Sequence, residues 1–117
     1  MNHGLSANTV ERIVSVLAHY PEIEKAVLYG SRAKGNYRNG SDIDLTLFGD
    51  GINFSLLTRL DNELDDLLLP YKFDISQFTG LTHPELIDHI RRVGVVFYER
   101  KPEQPRHGDS GPPKPRY

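Results

Sequence analysis

The residues best suited to chemistry lie between Gly30 and Asp44, in the run Gly-Ser-Arg-Ala-Lys-Gly-Asn-Tyr-Arg-Asn-Gly-Ser-Asp-Ile-Asp. Gly30 and Ser31 follow a short apolar run and supply a flexible backbone turn and a hydroxyl, which suit phosphate oxygens. Asp42 and Asp44 open the next apolar run and supply two carboxylates. A phosphate grip beside paired hard oxygen ligands is what magnesium-dependent phosphoryl or nucleotidyl transfer needs. The spacing therefore predicts a nucleotide-handling enzyme.

Asp42 and Asp44 are expected on one face of a strand, because side chains alternate along a strand. The intervening Ile43, Leu45 and Leu47 then face the core. Same-face neighbours lie roughly 6.5 Å apart at Cα, so their carboxylates can converge on two ions separated by about 3.5–4 Å. The alternation predicts an outward-facing acidic pair at the strand entry.

Asp74 is the natural candidate for a third carboxylate. It stands between apolar residues in Lys-Phe-Asp-Ile-Ser, on a strand expected in the same sheet. With three carboxylates, two magnesium ions would divide the work: one activates the attacking hydroxyl, and the other steadies the triphosphate and the leaving pyrophosphate.

Other interpretations of these residues stay open or are excluded. An Asp-x-Asp pair at a strand entry is often only turn chemistry, and Arg32 and Lys34 form either phosphate contacts or a solvated loop face. An EF-hand is excluded because Leu47 stands where that loop needs glycine, and a Walker loop because no Gly-Lys-Ser/Thr follows Gly30. The histidines lack metal-ligand spacing, which favours surface or capping roles for His3, His19, His83, His89 and His107.

Alternating helix and strand patterns surround these motifs. Helices are predicted over 8–19, 54–69 and 84–92, with one helical turn over 31–34, and strands over 24–29, 42–48, 72–78 and 95–98. Asn8 and Glu11 are predicted to cap the first helix, Pro70 to stop the second and Pro84 to open the last. This alternation indicates an α/β or α+β layered domain.

Composition sets the outer bounds. A chain of 117 residues has room for one domain, expected over 1–100, so a large substrate-binding domain must be absent or supplied by another chain. A net charge of −2, from 14 basic and 16 acidic residues, gives no global drive toward nucleic acid or anionic membrane. The chain has no cysteine, no apolar run near the ~20 residues of a membrane span and no signal-peptide pattern. A soluble cytoplasmic protein is expected.

The segment 101–117 differs in kind. It holds five of the eight prolines and almost nothing apolar, so it cannot bury enough surface to offset its ordering entropy. A disordered tail is predicted, with a proline-rich partner-binding motif as the alternative.

The motifs together resemble a known family. Gly30-Ser31 with Asp42-Ile43-Asp44 and Asp74 resembles the DNA polymerase beta-like nucleotidyltransferase superfamily. The fuller pattern, with Pro-Glu-Leu-Ile-Asp-His-Ile-Arg-Arg-Val-Gly near the end of the domain, is similar to the minimal nucleotidyltransferases (MNT) over about residues 8–100. No motif residue departs from the pattern.

The resemblance carries several implications. The fold would be the α+β nucleotidyltransferase fold, a small mixed sheet of about four strands with helices packed on it. Family members often act as antitoxins that transfer AMP from ATP to a tyrosine of a partner HEPN ribonuclease toxin. By resemblance, Gly30 and Ser31 would hold the triphosphate, with Arg32 beside them. Asp42 and Asp44 would bind two magnesium ions, and Asp74 would complete the nucleophile-side metal.

Two alternatives remain at this point. One is a non-catalytic nucleotide-binding antitoxin or regulatory subunit that silences its partner by binding alone. The other is a subunit of a small-molecule nucleotidyltransferase, since the wider family modifies aminoglycosides and similar acceptors.

Overall fold

The computed structural model of the protein describes residues 3–100. Four α-helices, four β-strands and one 3₁₀ helix make up this part of the chain. The order is α1 Ala7–Leu17, β1 Lys25–Tyr29, α2 Ser31–Lys34, β2 Ile43–Phe48, α3 Phe54–Asp65, β3 Phe73–Gln77, the 3₁₀ helix Phe78–Gly80, α4 Pro84–Val93 and β4 Val95–Glu99.

The four strands form one mixed sheet in the order β3-β2-β1-β4. β1 pairs antiparallel with both β2 and β4, whereas β2 and β3 pair in parallel. The parallel pair needs a crossover, which α3 supplies. The predicted α+β fold, with a small mixed sheet of about four strands, is confirmed.

The main core lies on one face of the sheet, beneath α1 and α3. Each helix carries a stripe of apolar residues at helical spacing, and alternate residues of β1 and β2 meet these stripes. The most completely buried of these side chains are Ile13, Leu17, Leu28, Ile43, Leu45, Leu47, Leu60 and Leu64. Burial on this face forces the remaining residues of each strand onto the opposite face.

The opposite face of the sheet is only partly covered. Val27 and Tyr29 of β1 pack there against Ile90 of α4, with Leu86 and Phe78 at the margin. This second cluster is small, so α4 shields one part of the face and leaves the region around β2 and β3 accessible. The sheet therefore has one fully covered face, under α1 and α3, and one partly covered face, on which Val27 and Tyr29 lie.

The boundaries of α1 and α3 differ most from the sequence prediction, and α1 ends at Leu17 and not at His19. The first helix is capped by Ser6, whose Oγ accepts from the Thr9 amide at 3.1 Å, and the predicted cap at Asn8 is wrong because Asn8 lies inside the helix. The helix predicted over 54–69 is α3, which ends at Asp65 and does not continue to Pro70. The chain enters the left-handed region at Leu68, with φ of 57°. Short-range apolar spacing continued past the helix end and misled the prediction.

No helix within residues 3–100 is both long and apolar enough to cross a bilayer. The predicted disordered tail at 101–117 lies outside the described residues, so that prediction and the domain boundary at 100 stay predictions.

Leu68 offers a direct test of the end of α3. Its side chain is 88% exposed and contributes little packing, yet a left-handed conformation costs a residue with a Cβ atom roughly 1–2 kcal/mol. Leu68→Gly should therefore raise the free energy of unfolding by about 0.5–1 kcal/mol, after allowance for the greater freedom of glycine in the unfolded chain. The control is Leu67→Gly, which should destabilise because Leu67 packs on the core. Urea titration of both variants measures their free energies of unfolding. A lower free energy of unfolding for Leu68→Gly than for the natural protein would contradict the prediction.

Candidate active site

Two of the three predicted carboxylates lie side by side on the partly covered face of the sheet. Asp44 of β2 and Asp74 of β3 are direct partners in the parallel register, so their side chains leave neighbouring strands on the same face. Asp44 is half-buried and Asp74 is exposed. Two acids that are 30 positions apart in the chain thus meet through strand pairing.

Asp42 lies one residue before β2 and is exposed to solvent. Its charge is nevertheless felt at Asp44, whose pKa is raised to about 6, first by burial and then by the nearby negative charges of Asp74 and Asp42. The three predicted carboxylates therefore form one electrostatic group, with Asp44 at its centre.

The donor chemistry of this group suits magnesium, since carboxylate oxygens are the hard ligands that this ion prefers. A cation would also relieve the repulsion that opposes ionisation of Asp44. Within residues 3–100, however, no three His, Cys, Asp or Glu side chains are gathered closely enough to hold a metal ion. The carboxylates are suitable ligands for the ion, and strand register brings Asp44 and Asp74 together. That all three acids bind one site remains a prediction.

Gly30 brings the backbone turn against the acids. It precedes α2 with φ of 77° and ψ of −157°, a positive-φ extended conformation that glycine adopts without strain and other residues rarely adopt. A Cβ atom at this position would collide with Oδ2 of Asp44. Both the dihedral angles and the space therefore require glycine, and the predicted phosphate turn sits directly beside a predicted metal ligand.

Ser31 begins α2, and its backbone carbonyl accepts from the Gly35 and Asn36 amides at 2.9 and 3.1 Å. These bonds close a tight turn that ends the helix after four residues. The side chain of Ser31 is half-buried on the same turn as Gly30. The predicted triphosphate-binding pair thus stands on a short, well-braced element.

Arg32 has a different setting from the other predicted site residues. It is only 2% exposed, and its guanidinium donates to the carbonyl oxygens of Ser41 at 3.1 Å and His3 at 2.9 Å. The rings of Tyr37 and Tyr71 lie 5.2 and 4.8 Å from the guanidinium carbon, within cation–π range. Arg32 ties the Gly30 turn to the residue before Asp42, and its predicted contact with nucleotide stays a prediction.

Tyr29 is a buried neighbour of the acids that no sequence motif indicates. It pairs with Asp44 across β1 and β2 and shares that residue's face of the sheet. Burial raises the pKa of its phenol, a hydrogen bond with Ser76 opposes the rise, and the charges of Asp74 and Asp44 add to it. Tyr29 forms part of the floor beneath the carboxylates.

His89 of α4 also reaches the site, where its Nε2 accepts from the Gly30 amide at 3.1 Å. A surface or capping role was predicted for all five histidines. It holds for His83, whose Nδ1 caps α4 by accepting from Leu86, but not for His89. The available signal was helical spacing, because His89 follows Leu86 by three positions and so shares its inward face. That spacing does not reveal a partner 59 positions away.

Comparison with known proteins adds a family to this geometry. The family model described as "Polymerase beta, Nucleotidyltransferase" matches residues 11–103. A protein of Methanocaldococcus jannaschii named "Putative protein adenylyltransferase MJ0435" is 28% identical over 92 residues, which are 78% of this chain and 97% of that protein. The range that the family model matches contains all six residues predicted for the site.

Solved structures share the fold at low identity. A chain of a toxin–antitoxin crystal structure with AMP-PNP superposes with a TM-score of 0.65 at 18% identity, covering 79% of this chain and 74% of that one. A chain of a structure of tri-AMPylated Shewanella oneidensis HEPN toxin in complex with MNT antitoxin gives 0.61 at 16%, covering 80% and 71%. These likenesses place the described sheet and helices in a known architecture.

The raised pKa of Asp44 predicts that the acid destabilises the metal-free protein. A carboxyl with a folded pKa of about 6 and an ordinary pKa near 3.8 holds its proton more tightly when folded, so folding stability is lost as pH rises between about 4 and 6. Because Asp44 is only half-buried, solvent screening reduces this effect, and in the presence of a chelator Asp44→Asn should be more stable than the natural protein by about 1–2 kcal/mol at pH 7. The gain should vanish near pH 4.

Urea titrations of both proteins at pH 4, 5, 6 and 7 test this dependence. Asp50→Asn is the matched control, because Asp50 is an exposed aspartate in the turn after β2. A gain for Asp44→Asn that does not change with pH would contradict the electrostatic account.

Proposed function

Because the chain belongs to the polymerase beta nucleotidyltransferase family, we propose that this nucleotidyltransferase moves AMP from ATP to a tyrosine of a partner HEPN ribonuclease toxin and so acts as its antitoxin. The single observation that carries the chemistry is the pairing of Asp44 with Asp74 beside the positive-φ turn at Gly30. This arrangement sets a carboxylate pair against a backbone element suited to phosphate oxygens.

The two carboxylates differ in access, and the difference assigns their roles. Asp44 is half-buried and touches the space next to Gly30, so it belongs to the nucleotide side. Asp74 is exposed on the neighbouring strand β3, where an acceptor hydroxyl can approach from solvent. Gly30 and Ser31 would hold the β- and γ-phosphates, which orients the α-phosphorus toward the Asp44–Asp74 pair.

The proposed reaction is an in-line displacement at the α-phosphorus. The acceptor oxygen forms a bond to that phosphorus, the bond from phosphorus to the oxygen bridging to the β-phosphate breaks, and pyrophosphate leaves. A carboxylate oxygen of Asp74 takes the proton from the acceptor hydroxyl. Asp42, Asp44 and Asp74 would hold two magnesium ions, which would supply charge neutralisation at the triphosphate and activate the hydroxyl.

The named relatives support the choice of acceptor. The M. jannaschii protein carries the name of a protein adenylyltransferase, and the similar solved structures include an AMP-PNP complex and an AMPylated HEPN toxin with its MNT antitoxin. AMP on a tyrosine adds bulk and negative charge, which would exclude an RNA backbone from the toxin by steric and like-charge repulsion.

Substitutions should separate the nucleotide side from the acceptor side. Asp74→Asn should lower the transfer rate about 10²–10⁴-fold, as expected for loss of a proton acceptor, while MgATP affinity stays within about threefold of the natural protein. Asp44→Asn should reduce both the rate and the affinity, because Asp44 lies against the Gly30 turn. Single-turnover transfer of labelled AMP and calorimetry of MgATP binding measure the two effects, with Asp50→Asn as control. Full activity of Asp44→Asn would refute the assignment.

The partner assignment is tested by intact-mass measurement of a candidate HEPN partner after its co-expression with this chain. We expect an AMP-sized mass increment on a tyrosine peptide of the partner, and loss of both the increment and the protection in the Asp42→Asn, Asp44→Asn double variant. Asp50→Asn should behave like the natural protein. If the double variant still protects and the partner never gains AMP, inhibition works by binding alone.

A further inference from the structure

His89 provides the main contact between α4 and the predicted phosphate turn. Its Nε2 accepts a hydrogen bond from the Gly30 amide at 3.1 Å, across 59 positions of the chain. Because Gly30 precedes α2, its amide has no partner inside that helix, and an unpaired amide in a half-buried turn is costly. His89 satisfies this donor.

The other polar group of the Gly30 backbone is also occupied. The Gly30 carbonyl accepts from the Lys34 amide at 3.1 Å and so closes the single turn of α2. With its amide bonded to His89, both backbone polar groups of Gly30 are committed to protein partners. The conformation of Gly30, with its positive φ of 77°, is therefore held from two sides.

The imidazole is itself held in place by the second hydrophobic cluster. The next residue, Ile90, is only 4% exposed and packs with Val27 and Tyr29 of β1. The ring of His89 meets the ring of Tyr29 edge-on, with centroids 6.2 Å apart and planes at 79°. Tyr29 in turn pairs with Asp44. The position of His89 thus depends on the residues that form the floor of the site.

An accepting Nε2 requires the neutral imidazole with its proton on Nδ1. In that state the lone pair of Nε2 is directed at the Gly30 amide, so it is not available to a substrate. His89 is accordingly placed to orient a backbone group and not to exchange protons with an acceptor.

We propose that His89 is a positioning residue, which fixes the Gly30 turn in the conformation that receives the triphosphate of ATP. The inference rests on the proposed function, in which Gly30 and Ser31 hold the triphosphate. It revises the part of Gly30: the Gly30 amide is bonded to His89, so Gly30 shapes the turn, while Ser31 and the following turn make the contact with phosphate. It also makes the seating of α4 on the sheet a condition of nucleotide binding.

The test compares variants that keep or remove the acceptor. The side chain of His89→Gln can place Oε1 near the position of Nε2 and should keep MgATP affinity within about twofold of the natural protein. His89→Leu keeps an apolar side chain of similar bulk but offers no acceptor, and should weaken MgATP binding five- to tenfold, the loss expected from one hydrogen bond. His89→Asn, whose amide is too short to reach Gly30, should match His89→Leu and replaces it if the leucine variant does not fold.

Two measurements are made on each variant, calorimetry with MgATP and hydrogen exchange of the Gly30 amide by NMR. Protection of this amide should be present in the natural protein and in His89→Gln, and lost in the other two. Circular dichroism melts show whether each variant is folded. This readout does not depend on catalysis or on knowing the acceptor.

The outcomes separate the inference from the proposed function. If a folded His89→Leu or His89→Asn loses protection at Gly30 yet binds MgATP as tightly as the natural protein, the hydrogen bond only stabilises the fold and the inference is overturned. It is also overturned if His89→Gln restores protection without restoring affinity. If the natural protein binds no MgATP at all, the proposed function fails and the inference fails with it.

Discussion

The pairing of β2 with its neighbours is the constraint on which the rest of the structure depends. Ile43, Leu45 and Leu47 are completely buried under α1 and α3, so the register of β2 cannot slip by one residue without turning these side chains to solvent. The same alternation compels Asp44 to the opposite face. Hydrophobic burial on one side of the sheet therefore fixes the position of a carboxylate on the other.

The parallel contact between β2 and β3 converts that position into a site. Asp44 meets Asp74, and two residues further along Thr46 meets Ser76, whose Oγ donates to Thr46 Oγ1 at 3.0 Å. The hydroxyl pair lies deeper, where Thr46 is completely buried, and the acid pair lies at the accessible end. Along this face, a hydrogen-bonded pair of hydroxyls is therefore followed by a pair of carboxylates that repel one another. Burial of Asp44 and the repulsion from its acidic neighbours together raise its pKa and oppose its ionisation in the folded protein.

Hydrogen bonds from neighbouring elements fix the position of the segment that contains the predicted phosphate turn. Buried Arg32 bonds to the carbonyl of Ser41 and keeps the start of β2 against α2, while His89 holds the Gly30 amide from α4. A short helix of four residues has little stability of its own. Its geometry is set by tertiary partners on both sides, which is the kind of support that a pre-organised binding site requires.

The sequence by itself determined the elements and the chemistry. Apolar patterns predicted the four strands and the three longer helices within residues 3–100, and the run from Gly30 to Asp44 with Asp74 indicated nucleotidyl transfer. Both signals are local, because alternation, turn residues and motif spacing depend on neighbours in the chain. The misplaced ends of α1 and α3 show the limit of such signals. The cap at Ser6 and the left-handed turn at Leu68 are decided by backbone geometry that apolar spacing does not encode.

Only the tertiary structure decided which distant groups meet. It placed Asp74 directly opposite Asp44 and put Tyr29 beneath them. It also buried Arg32 and brought His89 onto the Gly30 amide. These contacts join positions that are far apart in sequence, and their geometry follows from strand register and from the packing of α4 on the sheet. No local pattern carries that information, because register and packing are set by burial of the whole core at once.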